Sequence, residues 1–324
     1  MNSSTEISTT EISKDSKIVI PGAAGLVGQN LIVFLIKAGY TNIVAIDKHK
    51  YNTRMLAQLH PGITVIEADL ADKGEWQASL KDADMIIMLQ AQIGGLTIEP
   101  FIRNNVTSTE NILQSARQYN VPYIVHISSS VLESEADDFY TQTKEQQENL
   151  VINSGIAHCI LRPTLMFGWF DRKHLGWLSR FMAKIPVFPI PSHGRFMRQP
   201  LYVGDFCNII ISAMHKQPKN KIYNITGREK IDYVDIIKGI KKTLGLRTWI
   251  MHIPYWLFWM LLKIYAIFDR DPPFTTSQLK ALVIREEFEL IPWWDIFEIK
   301  STPFDDALKE TYLDETYSKH VLHF

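Results

Sequence analysis

Apolar residues in the first half of the chain come in short runs separated by longer mixed stretches. Runs at 17–20, 42–47, 62–67, 85–89, 123–127 and 160–163 are four to six residues long and read as strands. The stretches at 26–38, 72–80, 100–120 and 139–155 read as helices. Alternation at this spacing predicts an α/β fold, a Rossmann-type, doubly wound parallel sheet with helices on both faces. Ligands of such a sheet gather beyond the C-terminal strand ends.

The second half is less regular. Residues 201–203 and 223–225 read as strands, the latter returning to the nucleotide sheet. Residues 174–184, 206–215 and 233–244 read as helices, with Asp205 capping the middle one. The proline-rich stretch 185–194 is expected to form no ladder. Residues 249–268 are rich in Trp, Tyr and Leu, and the 14 residues after Pro254 fall short of a bilayer span, which takes about 20. Two readings stay open for them. One is a core helix; the other is a helix lying in a membrane interface with its aromatics at headgroup depth, which suits a lipid-linked substrate. Residues 275–282 read as a further helix. Trp293, Trp294 and 303–313 form a terminal segment on the substrate side.

The expected organisation has three parts. Residues 1–16, polar and Ser/Thr-rich, are a disordered tail. Residues 17–168, with a return near 201–225, are a nucleotide-binding domain. Residues 169–200 and 226–324 are a smaller C-terminal substrate part.

Composition narrows the choice of function. The chain has 324 residues, 46% hydrophobic and 21% charged, as in an ordinary globular protein with a real core. With 34 Lys and Arg against 35 Asp and Glu, nothing favours nucleic acid. Cys159 and Cys207 lie in apolar runs without ligand spacing, which argues against zinc or a disulfide framework and fits a reducing, cytoplasmic compartment. The tail lacks the basic start and apolar centre of a secretion signal.

The chemistry begins at residues 17–29. A strand turns through Gly22, Gly25, Leu26, Val27 and Gly28 into a helix. Such a turn aims backbone N–H groups and the positive helix end at one point, which suits a pyrophosphate. The glycines follow G-x-x-G-x-x-G, a variant of the usual dinucleotide fingerprint. Asp47, at the end of the second strand and 19 residues past Gly28, is placed to accept the adenosine ribose hydroxyls. NAD is therefore preferred, while Lys48, His49 and Lys50 keep NADP open. Asp69 and Leu70 follow the third strand, where the acid either meets the adenine or caps a helix. Leu89, Gln90 and Ala91 end the fourth strand and join the same crevice.

A serine run, 128–130, closes the fifth strand, and Tyr140 and Lys144 follow at helical i, i+4 spacing. A phenol near pKa ~10 is too weak an acid to serve as a base at neutral pH. An ammonium one turn away, with the charge of an oxidised nicotinamide, would favour the phenolate. A fall of roughly three units corresponds to about 4 kcal/mol. A serine on the strand end could hold the substrate hydroxyl.

With these residues in place, the chain resembles the extended short-chain dehydrogenase/reductases of the nucleotide-sugar epimerase and dehydratase type. The resemblance rests on the glycine turn, Asp47, Asp69-Leu70, Asn105-Val106 with Thr109, residues 128–130, Tyr140 with Lys144, Arg162-Pro163 and Gly168. It implies that Ser130 and Tyr140 act on a substrate hydroxyl, and that Lys144 binds the nicotinamide ribose and acidifies Tyr140. It also implies that backbone near Pro163 meets the carboxamide and Arg198 the substrate diphosphate, with Arg172 adding charge. Family members pair through their long helices, which implies a homodimer here. Three departures bear on the substrate. Ser130 and Tyr140 are only ten residues apart, Ser108 stands where the family has glycine, and 90–92 reads Gln-Ala-Gln. The ten-residue gap holds Glu133, Glu135, Asp137 and Asp138, in the wrong order for a dehydratase acid pair. The expectation is an NAD-dependent epimerase, or a related dehydratase or reductase, acting on a nucleotide- or lipid-linked sugar. The alternatives are a dehydrogenase of a lipid-like alcohol and a non-catalytic cofactor-binding subunit.

Overall fold

The computed structural model describes residues 12–133, 138–268, 275–284 and 288–323. Its centre is a seven-stranded parallel sheet. In chain order the first six strands are β1 (Ile18–Pro21), β2 (Ile43–Asp47), β3 (Thr64–Glu67), β4 (Met85–Met88), β5 (Tyr123–Ile127) and β6 (Ala157–Pro163). Across the sheet they run β6, β5, β4, β1, β2, β3, and the strand Lys221–Ile225 adds outside β6. Strand order therefore reverses between β1 and β4, which opens a crevice at their C-terminal ends.

β1, β4 and β5 are buried along their whole length. That follows from their continuous apolar runs, since a central parallel strand is covered on both faces. On one face lie α1 (Leu26–Lys37) and the helix Val203–Lys216, which join Ile18, Ile20, Leu31, Phe206 and Ile210 in one core. On the other, Trp76, Leu80, Ile112, Leu113 and Val151 pack against Val19, Ile86, Ile124 and Ile160. After β2 the chain forms α2 (Lys50–Leu59), whose polar sequence gave no helical signal. The expected helix over 100–120 is present and runs without interruption through α3 (Glu99–Phe101), a wider-wound stretch Ile102–Thr107 and α4 (Ser108–Gln118). Next comes α5 (Phe139–Ile152), capped by Asp138, whose carboxylate accepts from Thr141 N–H at 2.8 Å.

Four expectations need correction. Residues 12–16 are packed rather than loose, with Ile12 and Ser16 buried; residues 1–11 lie outside the described residues. The proline-rich stretch does form a ladder, because Val187–Pro191 pairs in parallel with Trp249–Ile253. Proline lacks only the donor, so Pro186 still offers the carbonyl that accepts from Trp249 N–H at 2.8 Å. Asp205 sits inside the first turn of its helix instead of capping it. Its carboxylate accepts from Thr302 N–H and Oγ1–H, the latter at 2.6 Å, and so anchors the C-terminal segment. The helix Tyr255–Phe268 is no core helix: Trp256, Trp259, Met260, Leu261 and Ile264 are all exposed.

The last described residues return to the sheet-flanking helices α1 and α2. Leu322 joins Val33, Trp169 and Phe170 in a small separate core. The Asn52 amide of α2 binds the backbone of His323 in both directions, at 3.0 Å each.

Candidate active site

The three glycines of the first turn meet different surroundings. A Cβ on Gly22, whose φ is +79°, would stand 2.4 Å from the backbone nitrogen of Gln90. Only glycine lets β1 turn this close to the end of β4. A Cβ on Gly28 would stand 2.3 Å from the Ala23 carbonyl oxygen, so this glycine brings helix and strand together. Gly25 is different: a Cβ there would meet only the Gly22 carbonyl, at 3.5 Å. Beside it begins α1, whose first turn, with Leu26 and Val27, has no side-chain cap. Open space against uncapped N–H groups is a cradle for an anion, and this is where a dinucleotide pyrophosphate fits.

Asp47 ends β2 with one carboxylate oxygen accepting from Ala24 N–H at 3.0 Å and the other from His49 N–H at 2.9 Å. Burial pushes this carboxyl up, while those hydrogen bonds counter it. Lys48, the nearby cation for a 2′-phosphate, is drawn to Asp69 at 3.3 Å and Asn104 at 2.5 Å. Arg103 also reaches Asp69, at 3.2 Å, and Asp72, at 2.7 Å. Burial works to raise the Asp69 carboxyl, but Ala71 N–H and the two cations leave it below its ordinary value. Leu70 beside it is buried.

From the end of β4 a buried polar network runs to the catalytic candidates. Gln90 donates to Thr109 Oγ1 at 3.1 Å, and Gln147 donates to the same oxygen at 3.0 Å. Gln147 Oε1 accepts from Lys144 Nζ at 2.5 Å, and Lys144 also donates to the Ile127 carbonyl at 2.9 Å. Asn105 is fully buried and donates to Thr143 Oγ1 at 3.0 Å; its own oxygen accepts from Gln92 N–H at 2.6 Å, next to Ala91. Thr109 belongs to the Asn-Val-x-x-Thr pattern, so it had a signal. Gln147 and Thr143 had none beyond being polar residues on a buried helix face.

Lys144 is wholly buried, and burial brings its ammonium down to about 7 despite the pull of Glu148. Tyr140 is half-buried, and its hydroxyl lies near the Ser129 side chain. Lys144 was expected to acidify this phenol. The shift instead runs upward: burial raises it, the nearby Ser129 hydroxyl opposes, and Asp138 adds to the rise. Lys144 spends its donors on β5 and Gln147, and an amine near pKa 7 carries only part of a charge at neutral pH. Ser130 is buried at the start of the short turn Ser130–Glu133, and its neighbour Ser129, whose hydroxyl oxygen accepts from Val131 N–H at 3.3 Å, lies near Tyr140.

Arg162 is clamped by Glu148, at 3.1 and 2.5 Å, and by Glu133, which ties β6 to α5 ahead of Pro163. Glu133 is thus a structural ion-pair partner; Glu135 and Asp137 lie outside the described residues. The remaining candidate arginines have different neighbours. Arg172 lines a cleft of about 400 Å³ with Trp177, Arg180 and residues 321–323. Arg198 donates to the carbonyls of Met197 and Ile284, both at 2.8 Å, and of Leu282, at 2.5 Å, so it grips the end of the helix Thr276–Val283. Among the described residues no cluster of His, Cys, Asp and Glu could hold a metal, and no helix is long and apolar enough to cross a membrane.

Residues 18–226 match the family described as the NAD dependent epimerase/dehydratase family. Among curated proteins the chain is 24% identical over 261 residues to the low-salt glycan biosynthesis protein Agl12 of Haloferax volcanii, covering 70% of this chain and 82% of that one. It is equally 24% identical, over 272 residues, to a 3 beta-hydroxysteroid dehydrogenase/Delta 5-->4-isomerase of Mycobacterium tuberculosis, covering 74% and 71%. Among solved structures it superposes on UDP-glucuronic acid 4-epimerase from Bacillus cereus in complex with NAD with a TM-score of 0.68 and 21% identity, covering 91% of this chain and 97% of that one.

Proposed function

We propose, from the premise that the chain belongs to the NAD-dependent epimerase/dehydratase family, that it oxidises and re-reduces a hydroxyl of a nucleotide- or lipid-linked sugar, as an epimerase does. One observation carries the reading. Tyr140, near Ser129, and the buried Lys144, bonded to the last carbonyl of β5, lie beyond the C-terminal end of the sheet whose β1 and β2 carry the glycine cradle and Asp47.

In this reading the amides of 22–28 hold the pyrophosphate of NAD and Asp47 the adenosine ribose. Asp69 and Leu70 border the adenine, residues 89–91 and Asn105 the crevice wall, and Pro163 the carboxamide. Lys144 meets the nicotinamide ribose. Bound there, NAD supplies the acceptor and then the donor of one hydride. The other changes fall to the protein. Tyr140 Oη receives the hydroxyl proton as the substrate is oxidised and gives it back on reduction. The Ser129 hydroxyl, near that of Tyr140, steadies the substrate oxygen. Lys144, titrating near neutrality, favours the phenolate when it is charged. NAD is favoured over NADP because Lys48 is committed to Asp69 and Asn104. Arg198 is assigned to the substrate diphosphate and Arg172 to added positive charge. Two copies are taken to pair through α4 and α5, beside the exposed Phe139 and Ile152.

The test is a panel of nucleotide- and lipid-linked sugars with NMR readout of the product sugar. Inversion at one ring carbon is expected, lost in Tyr140→Phe. Full turnover by that variant would overturn the mechanism. A second reading, oxidation of a lipid-like alcohol, is favoured by the exposed apolar helix Tyr255–Phe268. It requires net NADH formation with turnover, whereas an epimerase leaves the cofactor unchanged.

A further inference from the structure

A cluster of exposed apolar side chains lies far along the chain from the catalytic candidates. Trp249 and Met251 alternate on the open face of the ribbon formed with Val187–Pro191, and Trp249 is 73% exposed. The helix Tyr255–Phe268 then sets Trp256, Trp259, Met260, Lys263 and Ile264 along one stripe, by i, i+3/i+4 spacing. Trp256 is 65% exposed, and the others of the stripe are exposed as well. Burying an indole normally gains one of the largest apolar contributions a side chain can make. Several exposed together mark a surface that some partner covers.

Charge selects the partner. Between Leu244 and Phe268 the chain has no carboxylate and two cations, Arg247 and Lys263. Both are exposed, and Lys263 lies over the Trp259 ring, 5.5 Å from its centroid. Lys184, also exposed, stands just before the partner strand of the ribbon. Apolar side chains and indoles whose charged residues within 244–268 are all cations fit the headgroup region of an anionic bilayer. The helix is too short to cross, so it would lie flat with its stripe among the acyl chains.

We infer that the face formed by Trp249, Met251 and the stripe Trp256–Ile264 docks the protein on an anionic phospholipid surface. The inference concerns location, and it stands whichever reaction the Tyr140 site performs.

The test uses the full chain and vesicles of phosphatidylcholine with or without phosphatidylglycerol, read by flotation. Vesicles carrying brominated acyl chains supply a second readout through tryptophan quenching. Binding to the anionic vesicles, quenched fluorescence and weakening by salt are expected. The double variant Trp256→Ser, Trp259→Ser is expected to lower the bound fraction about tenfold or more, and Lys263→Glu about threefold or more. Both variants keep the parent's circular dichroism and thermal transition. Failure to float with either vesicle overturns the inference, and so does binding that the double variant leaves unchanged. Light scattering of the lipid-free protein adds a third check: a dimer that the double variant converts to monomers assigns the face to a second copy and overturns it too.

Discussion

Replacing Lys144 with methionine should make the protein more stable at neutral pH while destroying its activity. The amine is wholly buried, and its pKa falls from 10.5 to about 7. Its folded pKa lies below its unfolded one, so the unfolded chain binds the proton more tightly and acid opposes folding. The penalty is complete below pH about 7, fades as the pH rises towards 10.5, and is absent above that. Some 3.5 units at ~1.4 kcal/mol each set its ceiling at about 5 kcal/mol. Methionine fills similar volume but leaves the Ile127 carbonyl and Gln147 Oε1 without their donor, a loss of about 1–3 kcal/mol. The variant should therefore gain about 2–4 kcal/mol near pH 6.5 and lose about 0–2 kcal/mol near pH 10. Urea unfolding of both proteins across that range, at constant m-value, measures the difference. A stability difference that does not vary with pH would refute the burial argument. Turnover by the variant at more than about one hundredth of the parent rate would refute the role given to the ammonium.

Other predictions separate neighbouring residues. Ser129→Ala should lower kcat by about a hundredfold, and Ser130→Ala by less than about tenfold, in steady-state assays. Gly22→Ala should cost more than about 2 kcal/mol in thermal unfolding, because its Cβ meets the Gln90 backbone at positive φ. Gly25→Ala should leave the melting temperature nearly unchanged yet weaken NAD binding about tenfold or more by calorimetry, since its Cβ enters the space kept for phosphate. Asp47→Ala should weaken NAD far more than NADP, shifting the ratio of their dissociation constants about tenfold or more towards NADP.

Much of the sheet was legible because its evidence is local. An apolar run of four to six residues, a glycine turn and a helix identify a strand–turn–helix unit without reference to the rest of the chain. The positions of Gly22, Gly25, Gly28 and Asp47 followed from such units. What escaped depends on distant partners. α2 is mostly polar, and it is tied down by His323 of the opposite end of the chain. The ribbon Val187–Pro191 exists because Trp249–Ile253 arrives to pair with it, which no local proline rule can register. The upward shift of Tyr140 and the part played by Gln147 come from how β4, β5, α4 and α5 close around one buried amine. Which serine of 128–130 comes near Tyr140 depends on how the turn after β5 begins, and three identical neighbours carry no such information.

The grip of Arg198 on the carbonyls of 282 and 284 has a consequence for any phosphate that seeks the same guanidinium. Those oxygens act as a tethered competitor, present at high effective concentration and never diffusing away. Affinity for a diphosphate at this arginine is then a net quantity, the new contacts minus those surrendered by the end of the helix Thr276–Val283. That helix adjoins the tryptophan-bearing one, so whatever steadies the pair against release makes the arginine harder to recruit, and whatever loosens it makes recruitment easier.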